Sequence, residues 1–285
     1  MIVSVGEVVW DIFSEDKQVL GGAPINVAYH LSALLPEVRI ITRIGDDELG
    51  QNTMARLGQL GLNVAGVQLD ATLPTGRVKV TVDGRNEPHF DIVAPVAWDN
   101  LDLKQALQQV GEQPFALVYG TLAQRDPRSR AVISALCAKA DKRFYDVNLR
   151  PPYTSRELVL DSLQSATLIK MNEHELAQVA GWLEIGPGEK KNIAQEICKR
   201  YDLDALAVTE GGKGAWLVSG NDYYADAGQP VQVADTVGAG DAFFAGLIAG
   251  YLQGLSWPET LSRANRRGGY VAGRHGATPA MPKEI

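Results

Sequence analysis

The sequence predicts an α/β fold, a three-layer α/β/α sandwich with a mostly parallel central sheet and a small additional β-sheet. Short apolar runs bounded by turn residues alternate along the chain with longer amphipathic stretches. This alternation is typical of parallel strands joined by crossover helices. It is interrupted in two places, at residues 11–20 and 66–93, where β-structure outside the main sheet is expected.

The individual elements follow from this alternation in chain order. Six apolar runs are predicted as strands, at 2–5, 38–44, 115–119, 143–147, 167–171 and 205–209. Eight amphipathic or apolar stretches are predicted as helices, at 24–35, 47–60, 101–110, 126–140, 172–180, 192–201, 239–252 and 258–274. The chain shows no linker, internal repeat or low-complexity segment, so residues 1–285 are predicted to form a single domain.

The two interruptions are predicted to form a lid. Within 66–93, the runs 77–82 and 89–93 flank a turn that contains Asp83-Gly84, a pattern that indicates a β-hairpin. A small β-layer at the ligand-binding edge of a parallel sheet can close over a substrate. Its exposed strands would also offer a surface for a homodimer.

Composition and charge exclude several classes of protein. The formal net charge is -7 without a dense basic run, which disfavours nucleic acid and anionic membranes as partners. Cys137 and Cys198 lack the spacing of a zinc site and are interpreted as buried thiols in a reducing compartment. Residues 1–13 do not resemble a signal peptide, and the apolar run 242–252 is about half of a membrane-spanning helix. A soluble cytoplasmic protein is expected.

The most informative segment is 235–241, with the sequence DTVGAGD, directly before an apolar helix. The first N–H groups of a helix lack intrahelical partners and carry the positive end of its dipole. Gly238, Ala239 and Gly240 can therefore cradle a phosphate, with Asp241 beside it. The segment lacks the Lys-Ser/Thr of a Walker A loop and the third glycine of GxGxxG. An ordinary turn with a favourably placed Asp remains the alternative for the glycines alone.

The complete segment 235–241 resembles the D-T-x-G-A-G-D signature of the ribokinase/PfkB family of carbohydrate kinases, and 21–28 resembles its G-G-x-x-x-N-x-A signature. The chain is most similar in appearance to bacterial fructokinases. The resemblance implies a ribokinase-like fold and the cofactors ATP and Mg²⁺, with K⁺ as a further candidate. It assigns Asp241 as the base that takes the proton of the accepting hydroxyl, and Gly238, Ala239 and Gly240 as the groups that stabilise the γ-phosphate.

The resemblance also implies a sugar site. Asp11 matches a sugar-binding Asp, Gly22 and Asn26 belong to the second signature, and 146–152 resembles the D-x-N-x-R-P segment of fructokinases. That segment assigns Arg150 to the γ-phosphate or to a sugar hydroxyl. The segments around Asp11 and Asn26 contribute no Lys or Arg that would bind a phosphorylated acceptor. Free fructose is therefore the first expectation, while 2-keto-3-deoxygluconate, ribose and nucleosides remain open.

Shorter matches suggest where the nucleotide and the metal bind. Asn172 and Glu175 fit the family's N-x-x-E pattern, which organises the water ligands of Mg²⁺, although the same spacing is also a helix-capping pattern. The tail 266–274 is rich in Gly and Arg where the family is usually rich in Ala. The candidate ATP-binding residues are Lys170, Thr209, Gly211, Gly214 and Asn265.

Two other functions compete with a kinase. A dinucleotide-dependent oxidoreductase would share the α/β pattern but should carry GxGxxG after the first strand, where Gly6-Glu7-Val8-Val9 stands. A non-catalytic sugar-binding relative would have little reason to retain Asp241 together with its glycine turn. The sequence therefore predicts an ATP-dependent carbohydrate kinase, with fructokinase activity first.

Overall fold

The computed structural model describes residues 1–14, 17–82, 88–282 and 285. Within these residues the chain forms thirteen strands and nine α-helices. The strands are β1 (Ile2–Val5), β2 (Val9–Ser14), β3 (Lys17–Gly21), β4 (Val38–Gly45), β5 (Val67–Asp70), β6 (Arg77–Val82), β7 (Pro88–Ile92), β8 (Ala116–Gly120), β9 (Lys142–Asp146), β10 (Leu168–Asn172), β11 (Ala205–Thr209), β12 (Ala215–Ser219) and β13 (Asp222–Asp226). The helices are α1 (Ala23–Ser32), α2 (Glu48–Gln59), α3 (Leu103–Val110), α4 (Pro127–Lys139), α5 (Arg156–Ser165), α6 (Glu173–Trp182), α7 (Lys190–Tyr201), α8 (Ala239–Leu252) and α9 (Trp257–Ala272).

The large sheet has nine strands in the order β13-β12-β11-β10-β9-β8-β1-β4-β5. All neighbours from β11 to β5 pair in parallel, and at one edge β12 pairs antiparallel with both β11 and β13. This arrangement confirms the predicted α/β class. Because the strands β9, β10 and β11 are adjacent and parallel, the residues that follow them lie at one edge of the sheet.

Side chains on the two faces of the sheet belong to two separate cores. Val3 and Val5 of β1 pack in a cluster with residues of α3 to α7, whereas Ile2 packs in a second cluster with α1, α2, α8 and α9. Successive side chains of a strand point to opposite faces, so both faces are covered by helices. The three predicted layers are therefore confirmed.

The small sheet has the order β3-β2-β6-β7, with β2 and β6 paired in parallel and the outer pairs antiparallel. The predicted insertion 66–93 divides between the two sheets. Its first strand, β5, pairs with β4 from Thr42↔Val67 to Gly45↔Asp70, so the start of the predicted insertion was wrong. The short run 67–70 gave no clear signal of which sheet it joins. The predicted turn at Asp83-Gly84 lies outside the described residues.

Three elements were not predicted, α5 and the edge strands β12 and β13. Signals for them exist: the Ser155 side chain accepts a hydrogen bond from Leu158 N at 3.2 Å and caps α5, and Gly220 with a φ of 57° turns the chain between the two strands. Cys137 and Cys198 are buried free thiols, as predicted. In the described part of the chain, no helix combines the length and the apolar character needed to cross a bilayer.

Candidate active site

The start of α8 is built by glycine. Gly238 precedes the helix with a φ of 77°, and a Cβ placed on it would lie 2.5 Å from the Cα of Ala277. Side chains other than hydrogen are disfavoured there by both backbone conformation and space. Among the described residues, no side chain caps the helix at this end. Its first N–H groups are therefore not occupied by a side-chain cap, as the predicted anion site requires.

Asp241 in the first turn of α8 contacts the start of α1. The Nδ2 atom of Asn26 donates a hydrogen bond to Oδ2 of Asp241 at 2.8 Å. Gly22 precedes α1 with a φ of 116°, and a Cβ there would lie 2.5 Å from the carbonyl oxygen of Glu7. Glycine therefore allows the start of α1 to lie close to the backbone of Glu7. The two predicted signatures, 215 positions apart in sequence, thus meet at one hydrogen bond.

The surroundings of Asp241 change its protonation. Burial among protein atoms, followed by the charge of Asp146, raises the pKa of Asp241 to about 6. The hydrogen bond from Asn26 and the charges of Lys170 and Arg150 act in the opposite direction. The group is therefore mostly ionised at neutral pH and protonated below about pH 6.

A buried ion pair lies next to the glycine turn. Lys170 Nζ of β10 contacts both carboxylate oxygens of Asp146, at the end of β9, at 3.0 and 3.1 Å. A Cβ added to Gly240 would lie 3.3 Å from the same Nζ atom. Burial alone would lower the pKa of Lys170, but the nearby carboxylates outweigh it and raise the pKa, with Asp146 contributing most. A positive charge therefore lies beside the glycine turn at the start of α8.

The predicted sugar residues approach the same point. Asp11 lies on β2 of the small sheet, where burial raises its pKa and the charge of Arg150 opposes the rise. Arg150 acts in the same way on the carboxyls of Glu7 and Asp241. Its guanidinium thus lies within electrostatic reach of both the small sheet and the start of α8.

A cavity of about 450 Å³ extends from the glycine turn along the outer strands. It brings together the predicted residues Thr209, Gly211, Gly214 and Asn265 with Ala239 and Gly240. The sequence did not predict the remainder of its wall, which includes Ala227, Gly228, Gln229, Pro230, Val231, Val233, Phe243, Gly268, Gly269 and Ala272.

The glycines of the tail 266–274 are explained by close packing. A Cβ on Gly268 would lie 3.0 Å from the carbonyl oxygen of Ala239, and one on Gly269 would lie 3.3 Å from Cγ2 of Val231. Glycine therefore allows α9 to approach α8 and the segment 227–233 closely. The Nδ2 atom of Asn265 donates to the backbone oxygen and the carboxylate of Asp226 at 2.8 and 2.9 Å, which fixes the side chain at the cavity wall.

Asn172 and Glu175 form the helix cap that was the alternative to a metal site. Asn172 Oδ1 accepts from the N–H groups of His174 and Glu175, both at 2.9 Å. Glu175 accepts from Asn172 N at 2.8 Å and from Leu149 N at 2.9 Å, one bond on each oxygen. Among the described residues, no group of three or more His, Cys, Asp or Glu side chains could hold a metal ion. A carboxylate oxygen has a second lone pair, so Glu175 fits a contact through metal-bound water and not a direct ligand set.

Sequence reasoning missed Glu7 as a site residue. Its side chain is only 4% exposed and lines a small cavity with Asp146 and Asn148. The sequence offered a local signal, a carboxylate within an apolar run that ends at a predicted ligand-binding edge. Its environment comes from residues far away in the chain.

Comparison with known proteins identifies the family. The pfkB family carbohydrate kinase profile matches residues 5–284. The fructokinase of Vibrio alginolyticus is 27% identical over 98% of this chain and 95% of its own length. The fructokinase of Klebsiella pneumoniae is 30% identical over 86% of this chain and 82% of its own.

Solved structures agree with this result at the level of the fold. The crystal structure of the fructokinase from Vibrio cholerae, with fructose, ADP and calcium ion bound, superposes with a TM-score of 0.84. It is 24% identical, and the match covers 99% of this chain and 95% of that one. The predicted ribokinase-like sandwich is thereby confirmed.

Proposed function

The chain belongs to the pfkB family of carbohydrate kinases, and we propose that it transfers the γ-phosphate of ATP to a hydroxyl of a free sugar. The first candidate acceptor is fructose, which would give fructose 6-phosphate. The observation that carries the proposal is the hydrogen bond between Asn26 and Asp241. It joins a side chain suited to sugar hydroxyls to a carboxylate at an uncapped helix start. Acceptor and phosphate would meet at this point.

In the proposed mechanism, Asp241 accepts the proton of the attacking hydroxyl. Its pKa of about 6 leaves it ionised at neutral pH yet closer to the working pH than an ordinary Asp, which suits a general base. Asn26 holds the carboxylate through Oδ2, so the other oxygen remains for the hydroxyl. Phosphoryl transfer depends mainly on alignment and charge stabilisation, and a stronger base is not needed.

The start of α8 and Lys170 would hold the transferring phosphate. The N–H groups of Gly240 and Asp241 lie in the first turn of α8, and Lys170 Nζ lies beside Gly240. Mg²⁺ that arrives with ATP would neutralise charge on the phosphates. Glu175 fits a contact to its water shell, and Asn172 would act by positioning Glu175 through the helix cap. A role for K⁺ stays a prediction.

The 450 Å³ cavity is the proposed binding site for the nucleoside of ATP. Thr209, Gly211 and Gly214 would follow its phosphates and ribose, and Asn265 would border the base. Val233, 61% exposed, supports this assignment because an apolar side chain at a cavity wall can pack against a base.

The small sheet is the proposed lid of a single kinase domain spanning 1–285. Support comes from Asp11, which lies on β2 within reach of Arg150's charge. Closure over the sugar would exclude water and suppress ATP hydrolysis. Phe13 and Val19, 44% and 42% exposed on β2 and β3, support this sheet as the proposed homodimer surface.

Fructose is proposed as the acceptor on two grounds. Asp11 and Asn26 offer a carboxylate and an amide, which suit a neutral polyol better than a phosphorylated sugar. The relatives with 27% and 30% identity are named fructokinases. Related kinases can accept different sugars on one fold, so 2-keto-3-deoxygluconate, ribose and nucleosides are the competing acceptors.

The test is a comparison of acceptors. The purified protein is incubated with MgATP and fructose, ribose, 2-keto-3-deoxygluconate or inosine, and ADP release is followed together with the NMR spectrum of the product. Fructose should give the highest kcat/KM, with the phosphate on its 6-hydroxyl. A higher kcat/KM for another acceptor would replace fructose. No turnover of any acceptor, with ATP binding retained, would favour a non-catalytic relative.

A further inference from the structure

Glu7 is a buried carboxyl that the proposed mechanism leaves unused. It follows β1 directly and is 4% exposed. Its own backbone N–H hydrogen-bonds to the carboxyl group, while Oε2 has no hydrogen-bond partner among the described residues. A buried charged oxygen without a partner is strongly disfavoured. The residue therefore either holds a proton or contacts something else.

A very small cavity adjoins this carboxyl. It has a volume of about 10 Å³, close to the minimum that holds one water molecule. Val27 of α1 and Phe244 of α8 form part of its wall, so it lies at the same helix contact that joins Asn26 to Asp241. Asp146 and Asn148 form another part. Glu7 thus lies within electrostatic reach of the proposed base and beside a space for about one water molecule.

The charges around Glu7 come from several elements. Asp241 on α8 and Asp146 at the end of β9 disfavour its ionisation, while Arg150 favours it. Tyr119 of β8 also lines the cavity, but burial raises its pKa well above the usual value, so it stays neutral. The residues of α1 that line the cavity, Ala23, Pro24 and Val27, carry no charge.

We propose that Glu7 is a positioning residue of this site, which remains a neutral acid while Asp241 is a carboxylate, so that only one of the two carboxyls is charged beside the transferring phosphate. The inference rests on the proposed function. A second negative charge here would hold the proton on Asp241 and repel the phosphates of ATP. Neutral Glu7 avoids both effects and can donate a hydrogen bond to a water in the cavity.

The hydrogen-bond partners support this order of ionisation, because Asn26 donates to the Asp241 carboxylate, whereas Oε2 of Glu7 has no partner among the described residues. Burial, with Asp241 and Asp146, raises the pKa of Glu7 to about 7, whereas that of Asp241 is raised to about 6. Interacting carboxyls titrate as a pair, so the two values describe successive steps of the pair. The active form, with one proton on the pair, is most populated between these steps. Activity should fall on the alkaline side as Glu7 ionises.

The experiment uses Glu7→Gln, which keeps the size of the side chain but cannot ionise, and Glu7→Asp, which can. We expect the ratio of kcat/KM at about pH 8.5 to that at about pH 6.5 to rise at least threefold in Glu7→Gln over wild type. Glu7→Asp should keep the alkaline decline. An unchanged ratio in Glu7→Gln would overturn the positioning role.

A second measurement needs no catalysis and so separates this inference from the proposed function. The raised pKa of Glu7 means that the folded protein keeps a proton which the unfolded chain releases from about pH 4.5. Wild-type Tm should therefore fall relative to Glu7→Gln as pH rises from about 4.5 to about 7, and the difference should stay constant above that. A difference independent of pH would overturn the inference even if the enzyme is active.

If Glu7→Gln does not fold, wild type supplies the test. The ¹³C carboxyl signal of Glu7, assigned by comparison with Glu7→Asp or by sequential NMR, is titrated without substrates. A midpoint near neutrality is expected, and a midpoint in the ordinary range of an exposed Glu would overturn the inference. If no acceptor is phosphorylated, this titration and the Tm series still decide whether Glu7 holds the proton.

Discussion

The starts of α6 and α8 both lie at the edge of the large sheet where the site is formed, yet they are built in opposite ways. At α6, Asn172 and Glu175 form a complete capping box in which side chains occupy the free backbone donors. At α8, Gly238 precedes the helix and no side chain caps it. The free N–H groups at the start of α6 are hydrogen-bonded by its own side chains, whereas the start of α8 stays available to an external anion.

A structural motif and a binding motif at the same place in a fold thus differ in the property that their loss affects first. A capped start stabilises the helix without a ligand, so its loss should appear first in stability. An uncapped start near Lys170 and Asp241 would gain its partner only when the proposed phosphate binds, so its loss should appear first in catalysis.

The largest expected effect is that of Asp241→Asn at the uncapped start of α8. The substitution keeps the size of the side chain but removes the proton acceptor, so kcat should fall by about 10² to 10⁴. Tm at neutral pH should not fall, because the variant removes a carboxylate whose ionisation its surroundings oppose. Steady-state kinetics and thermal melts provide both values. Activity within threefold of wild type would leave Asp241 as a helix-terminus charge.

The next effect concerns space at the same helix start. Gly240→Ala should favour the helix by about 1 kcal/mol in propensity, yet its methyl group would lie 3.3 Å from Lys170 Nζ and obstruct the phosphate. We expect kcat/KM for ATP to fall about tenfold to a hundredfold, the range of a lost charged hydrogen bond.

Gly181→Ala is the matched control for Gly240→Ala. Gly181 lies in α6, and a Cβ there meets nothing within 4 Å. It should gain the same helix propensity without a kinetic effect. If both variants lost ATP affinity equally, the expectation of steric obstruction at the start of α8 would be wrong.

The pH dependence of activity comes third. Because the pKa of Asp241 is about 6 and the proposed base must be ionised, kcat/KM should decline below about pH 6, approaching tenfold for each further unit. Folding stability changes in the opposite sense: the folded state keeps this proton longer than the unfolded chain, so stability falls as pH rises from 3.8 toward 6. A kcat/KM profile that stays flat to pH 5 would exclude Asp241 as the titrating base.

Local sequence signals were sufficient to predict many strands and helices of this molecule. The predicted ranges 2–5, 205–209 and 239–252 coincide with β1, β11 and α8, because each is a mostly apolar run with a clear boundary. The predicted insertion 66–93 started too early, since its first four-residue strand, β5, pairs with β4 of the large sheet, and so short a run joins whichever edge tertiary packing offers.

The same limit applies to the candidate site. The glycine signatures predicted both helix starts that meet through Asn26 and Asp241. The ion pair of Asp146 and Lys170 and the burial of Glu7 could not be predicted. Their chemistry depends on groups that are distant in sequence and become neighbours only when parallel strands and α8 assemble.

The smallest expected effect returns to the capped start. Asn172→Ala removes the acceptor for the N–H groups of His174 and Glu175, so the free energy of unfolding should fall by about 0.5 to 2 kcal/mol, the usual range for a lost cap. Asn172→Asp retains a capping oxygen and should recover most of that loss, which makes it the matched control. Urea unfolding gives the stabilities, and kcat is measured on the same preparations at saturating MgATP. If Asn172→Ala lost more than tenfold in kcat with unchanged stability, the start of α6 would act on the nucleotide or its metal directly. Since the Asn172 oxygen already accepts two backbone bonds, we expect the stability loss to dominate.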